Sequence, residues 1–154
     1  MAKRKYAIGV DFGTESGRAV LVEAATGKEV GTAVYAYANG VIDQALPGSR
    51  RRLEPDWALQ DPEDYLRVFK RAIPKVLRET GVDPDDVIGL GIDFTACTML
   101  PVTADGTPLS RLPAYARMTD GESRAGSNDS VTSRTLSRSA GVAVIVSLTV
   151  SNTR

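Results

Sequence analysis

The chain has 154 residues, 42% of them hydrophobic and 25% charged, and nineteen basic residues balance nineteen acidic ones. That length and composition fit one soluble globular domain, and a net charge of zero gives no electrostatic case for nucleic acid or an anionic membrane as partner. A single cysteine, Cys97, and the absence of histidine exclude an internal disulfide, Ser-His-Asp and Cys-His catalysis, and histidine-ligated metals within this chain. The start, Met1 to Lys5, leads into no apolar stretch long enough for a signal peptide, so a cytoplasmic location is expected.

Tyr6 to Val10 reads as a short strand that stops at Asp11-Phe-Gly-Thr-Glu-Ser-Gly17. Arg18 to Ala24 reads as a second strand, Thr26-Gly27 as a turn, and Glu29 to Tyr37 as a third strand. Three strands on tight turns predict an antiparallel meander. Residues 38–60, with Gly40, Pro47, Gly48 and Pro55, read as a loop. Asp61-Pro62-Glu63-Asp64 opens a helix, with Asp at the cap, Pro at the first helical position and acids at the positive end of the dipole. Tyr65, Leu66, Phe69, Ile73, Val76 and Leu77 form its apolar stripe, Pro74 is expected to kink it and Gly81 to end it. Val87 to Ile92 reads as a fourth, buried strand, and Met99 to Thr103 as a fifth, turned by Asp105-Gly106. The order β-β-β-α-β predicts an α/β layer pattern with an antiparallel hairpin at one edge.

Two segments can carry chemistry. In Asp11-Phe12-Gly13-Thr14-Glu15-Ser16-Gly17-Arg18, glycines allow close backbone approach to a phosphate, Thr14 and Ser16 add hydroxyls, and Arg18 adds a fixed positive charge. Asp11 at a strand end can hold Mg²⁺ directly or through water, because Mg²⁺ takes few carboxylates and keeps several waters. The competing reading is a plain polar hairpin turn. The segment is neither a Walker A loop nor the Asp-Phe-Gly of protein kinases, whose companion motifs are missing. The second segment, Gly91-Ile-Asp-Phe-Thr-Ala-Cys-Thr98, follows a strand, the usual ligand position in an open α/β sheet. There the competing reading is a strand end with Cys97 as a small buried hydrophobe. Arg50-Arg-Arg52 reads as a solvated surface, and Trp57 as a packing anchor.

The run Tyr6 to Val22 resembles the first phosphate loop of the FGGY carbohydrate kinases. More narrowly, Ala7 to Leu109 resembles the N-terminal part of the bacterial L-ribulokinases within that family. The resemblance rests on Val10-Asp-Phe-Gly-Thr-Glu-Ser-Gly-Arg18, Pro55-Asp-Trp-Ala-Leu-Gln-Asp-Pro62 and Gly89-Leu-Gly-Ile-Asp-Phe-Thr-Ala-Cys-Thr-Met-Leu-Pro101. It implies an actin-like, ribonuclease-H-like fold with ATP and Mg²⁺ in a cleft, and a ketopentose phosphorylated on its terminal hydroxyl. By position it implies Asp11 near Mg²⁺, Gly13, Thr14, Ser16 and Arg18 around the phosphates, and Thr95, Ala96 and Cys97 against the sugar.

Residues 1–110 are expected to form part of the N-terminal domain of such a kinase. Residues 111–154 depart from the family: six Arg and no Lys, eight Ser, five Thr and one aromatic, Tyr115. They read as a disordered or out-of-frame tail, except for the uncharged run Ala140 to Val150, which is an aggregation hazard if exposed. The expected function is therefore ATP-dependent phosphorylation of L-ribulose in the intact kinase, with this chain an inactive fragment. The alternatives are a different kinase of the family, such as one for xylulose, and a non-enzymatic actin-like module that binds nucleotide or a partner. An incomplete sheet also predicts an open edge and low solubility.

Overall fold

The computed structural model describes residues 3–46, 50, 52–53, 55, 57–95, 98, 100–114, 125–126 and 143–145. The chain forms two compact units, one of residues 1–38 and 63–94, the other of residues 39–62 and 95–154.

The first unit is a four-stranded sheet with one helix. Strands β1 (Tyr6–Phe12), β2 (Ser16–Glu23) and β3 (Glu29–Ala36) form the expected meander. β5 (Val87–Phe94) lies parallel to β1, so the sheet order is β3-β2-β1-β5. Gly27 turns β2 into β3 at φ 70°, a left-handed conformation that glycine adopts without strain. Helix α1 (Pro62–Thr80) runs unbroken through Pro74, whose side is exposed, and Gly81 follows it at φ 69°. Its buried stripe is Tyr65, Val68, Ala72 and Val76, with Phe69 half-buried, while Leu66 is 50% exposed. The spacing is helical as expected, but the stripe is rotated from the one read off the sequence. The sheet explains the rotation: Gly17 and Gly31 leave room for the helix, since a Cβ at Gly17 would meet Val68 Cγ2 at 2.3 Å and one at Gly31 would meet Thr80 Cγ2 at 2.5 Å.

Strand β5 departs from the expected buried strand. Its register sets Leu90 beside Ile8, Ile92 beside Val10 and Phe94 beside Phe12, on the face that α1 covers elsewhere. Ile8, Val10 and Phe12 are buried. Ile88, Leu90 and Ile92 are 64%, 51% and 53% exposed. An apolar run is buried on both faces only when a layer covers it, and among the described residues β5 is the outer strand of its sheet. A bulge leaves Ile88 outside the ladder, because Val87 pairs with Tyr6 and Gly89 with Ala7. The other end of the strand is covered: Phe94 stacks on Phe12 with ring centroids 4.4 Å apart and meets the edge of Tyr65 at 5.4 Å. Before β5, Asp86 is buried and takes ion pairs from Lys3 at 2.9 Å and Lys5 at 3.1 Å.

In the second unit, residues 39–62 are more than a loop. Ile42 bridges Leu59, Ala45 bridges Arg52, and Ile42, Leu46, Leu53 and Leu59 make a small core against which Trp57 packs. Trp57 is thus the packing anchor the sequence suggests. Short strand pairs join β4 (Leu59–Gln60) to β7 (Ala125–Gly126), and β6 (Leu100–Val102) to β8 (Ala143–Ile145). The turn after β6 is closed by Asp105, whose carboxylate accepts from the Thr107 amide at 3.2 Å and from the hydroxyls of Thr103 and Thr107. Those bonds, that from Thr103 foremost, hold the Asp105 carboxyl below its ordinary value. Apart from the short strands β7 and β8, the expectation of a disordered or out-of-frame tail falls outside the described residues beyond position 114. No helix among the described residues is long and apolar enough to cross a membrane.

Candidate functional site

The hairpin between β1 and β2 is held at several points. Gly13 N–H donates to Ser16 O at 3.0 Å, and Tyr37 N–H donates to Glu15 O at 2.9 Å. The Tyr37 hydroxyl donates to Gly13 O at 3.0 Å. Burial, and then the charges of Asp11 and Asp64, push that hydroxyl well above its ordinary pKa. Tyr37 therefore stays protonated, and remains a donor, throughout the physiological range. Beneath the hairpin the buried Asp64 accepts from the Ala38 amide at 3.1 Å and faces Arg67 Nη1 at 3.4 Å. A strand, a tyrosine and a helix carboxylate thus fix a turn that the sequence alone reads as polar and glycine-rich.

The glycines divide their labour differently from the expectation. The Gly13 amide is committed to Ser16 O, and Gly17 is small because Val68 packs against it. The candidate polar side chains lie on the outer surface. Thr14 is exposed and Ser16 half-buried at the turn, and Arg18 is exposed on β2. Asp11 pairs across the ladder with Arg18 on one side and with Asp93 on the other. Cross-strand partners share a sheet face, so Arg18, Asp11 and Asp93 form a row across three strands, on the face opposite α1. All three are exposed. Asp93 Oδ1 accepts from the Phe94 amide at 3.0 Å.

Asp93 is the residue that sequence reasoning passed over. The signal was present: like Asp11, it ends an apolar strand, and the two strands are parallel neighbours. Two carboxylates in one row, with hydroxyls and an arginine beside them, are a donor set that fits Mg²⁺ with its waters and a polyphosphate. No group of three or more metal-ligating side chains occurs among the described residues.

Thr95 belongs to the second unit, where its carbonyl accepts from the Thr98 amide at 3.3 Å and from the Thr98 hydroxyl at 2.7 Å. Ala96 and Cys97 lie outside the described residues. The same unit carries an open cavity of about 620 Å³ lined by Asp43, Gln44, Arg52, Leu53 and Trp57 among others.

Comparison with known proteins follows this geometry. No protein-family model matches the chain. A ribulokinase from Geobacillus thermodenitrificans is 59% identical over 112 residues, which is 73% of this chain and 20% of that protein. A ribulokinase from Anoxybacillus flavithermus is 57% identical over the same shares. Among solved structures, a xyloylose kinase from Brucella ovis superposes with a TM-score of 0.53 at 22% identity, covering 66% of this chain and 19% of that one. The chain is a ribulokinase homologue over nearly three-quarters of its length, and it spans about a fifth of the length of the relatives it matches. Its sheet and helix have the actin-like fold of the FGGY sugar kinases.

Proposed function

We propose that this chain supplies the phosphate-binding hairpin of a cytoplasmic, ATP-dependent kinase that phosphorylates L-ribulose or a related ketopentose on its terminal hydroxyl. We propose further that the chain does not turn over by itself. The observation that carries the reading is the row Arg18–Asp11–Asp93 beside the pinned Gly13–Ser16 turn. The high identity to ribulokinases favours L-ribulose over xylulose, since likeness at 22% identity speaks for the fold alone.

Phosphoryl transfer needs mainly positioning and neutralisation of charge. Arg18 supplies a permanent positive charge for phosphate oxygens, and Thr14 and Ser16 supply hydroxyl donors. Gly13 keeps the turn tight through its own carbonyl and amide, which both lie within the hairpin network. Asp11 and Asp93 are the residues that would hold Mg²⁺, which when bound neutralises charge on the phosphates. Thr95, Ala96 and Cys97 are the residues proposed to lie against the sugar. By the resemblance, the general base and the adenine pocket are expected in parts of the kinase that this chain does not match.

A coupled ADP-release assay on the purified chain with L-ribulose and Mg-ATP tests the reading. The expected rate equals that of a Thr14→Ala control. Turnover above that control overturns the statement that the chain is inactive alone.

A further inference from the structure

We propose that Tyr37 is a positioning residue for phosphate: its two donors hold the carbonyls on either side of Thr14, and so fix the turn backbone in the geometry that nucleotide binding uses. The inference rests on the phosphate-binding reading of the hairpin, and it adds a residue that lies outside the glycine-rich motif. Three observations point there. First, one residue engages both ends of the turn. The Tyr37 hydroxyl donates to Gly13 O at 3.0 Å, and the Tyr37 N–H donates to Glu15 O at 2.9 Å. Second, Tyr37 is itself held. It is 6% exposed, and its ring meets that of Tyr65 at 5.9 Å with the planes 75° apart. Third, the chain leaving Tyr37 is tied to α1, because Asp64, 1% exposed, accepts from the Ala38 amide at 3.1 Å. The turn, the end of β3 and the first turn of α1 thus form one hydrogen-bonded chain within the first unit.

Peptide planarity carries these bonds to the binding surface. A trans peptide points its C=O and its N–H in opposite directions. The Gly13–Thr14 peptide is trans, so drawing Gly13 O toward Tyr37 turns the Thr14 N–H the other way. Turns bind anions through their amides, whereas carbonyl oxygens repel phosphate. The carbonyls of Gly13 and Glu15 are both drawn to Tyr37 donors. The ring and the oxygen of Tyr37 have separable tasks. Packing against Tyr65 needs only the ring, which phenylalanine would supply as well. The oxygen reaches the turn, and a buried hydroxyl is costly unless it is bonded there. A site held in its productive geometry before the ligand arrives binds more tightly, because less ordering is left for the ligand to bring about.

The test uses the full chain and Tyr37→Phe, which removes one oxygen and keeps the ring. Calorimetric titration with Mg-ATP is expected to show affinity weakened at least about threefold, the effect of one lost hydrogen bond on a site it orders. Amide hydrogen exchange, read by NMR, is expected to quicken at Gly13 by about tenfold while Val10 in the neighbouring strand changes little. Val76→Ala, a core substitution in α1 away from the hairpin, is the control for a merely structural role. It is expected to lower stability and leave the affinity for Mg-ATP unchanged. Equal affinity in Tyr37→Phe and the unaltered chain overturns the proposal, and so does an equal loss in Val76→Ala. A further measurement needs no variant. In the unaltered chain the Tyr37 hydroxyl proton is expected to exchange slowly enough to be seen, with an Overhauser contact to Gly13 or Thr14; its absence overturns the proposal even if Tyr37→Phe does not fold. Failure of the unaltered chain to bind Mg-ATP overturns the phosphate-binding reading instead, and the exchange at Gly13 then still decides whether Tyr37 sets the turn.

Discussion

Strands β1 and β5 lie side by side in register, and both carry apolar residues on the same face. Under α1, Ile8 and Val10 are buried; one strand away, Leu90 and Ile92 are half-exposed. The side chains hardly differ, so the difference lies in what covers them. The helix reaches β1, β2 and β3 because Gly17 and Gly31 let Val68 and Thr80 come close, and its Tyr65 meets β5 at Phe94. Burial is therefore a property of the neighbouring layer. The same kind of apolar strand is core beneath a helix and stays exposed where none of the described residues covers it.

That contrast can be broken by substitution. The largest effect belongs to Phe12, which touches Tyr65, Phe69 and Phe94 and is 1% exposed. Phe12→Ala is expected to destabilise the chain by about 3–5 kcal/mol in urea unfolding, through the lost ring and the cavity left behind. Gly17→Ala comes next, at about 1–3 kcal/mol, because its Cβ would lie 2.3 Å from Val68 Cγ2 and force the helix outward. A paired Val68→Ala substitution is expected to recover part of that loss.

Asp86 gives a smaller effect that depends on pH. Hydrogen bonding to Lys3 is the largest cause holding its carboxyl below the ordinary value of 3.8, and Lys5 adds to it. A carboxyl depressed in the folded state contributes stability above that ordinary value, and the contribution is lost as pH falls through the folded value. The stability gap between the chain and Asp86→Asn is thus expected to be constant near neutrality and to close as the medium is acidified below about pH 4. A gap that persists in acid contradicts the ion-pair account. At the uncovered end of the comparison, Leu90→Ser in dilute solution is expected to change stability by no more than about 0.5 kcal/mol. A loss like that of Phe12→Ala would mean that β5 is covered.

Most of the element order was legible in the sequence. The meander, the start of α1 at Pro62 and its end before Gly81 follow from turn residues, caps and periodicity. The β1–β2 hairpin was legible as a motif. Its supports were not, because the Tyr37 hydroxyl and the Asp64 carboxylate act across 24 and 26 residues of chain, on Gly13 O and Ala38 N respectively. Nor could the sequence assign Gly17 to helix packing, since a glycine near a phosphate loop and a glycine under a valine look alike until the helix is placed. Val87 to Ile92 misled for the opposite reason. Its composition states that it is apolar, and only the layer arrangement states whether anything covers it. Asp93 was passed over because its partner in the row, Asp11, lies 82 positions away in the chain and meets it only through the parallel β1–β5 register.

The most direct measurement of the central claim is calorimetric titration of Mg-ATP into the purified chain, beside the Arg18→Ala variant. The row of Arg18, Asp11 and Asp93 predicts Mg²⁺-dependent binding that Arg18→Ala weakens at least about tenfold, through loss of a charge-assisted contact to phosphate. Binding of equal strength in the two proteins, or binding indifferent to Mg²⁺, would contradict a phosphate-binding role for the hairpin.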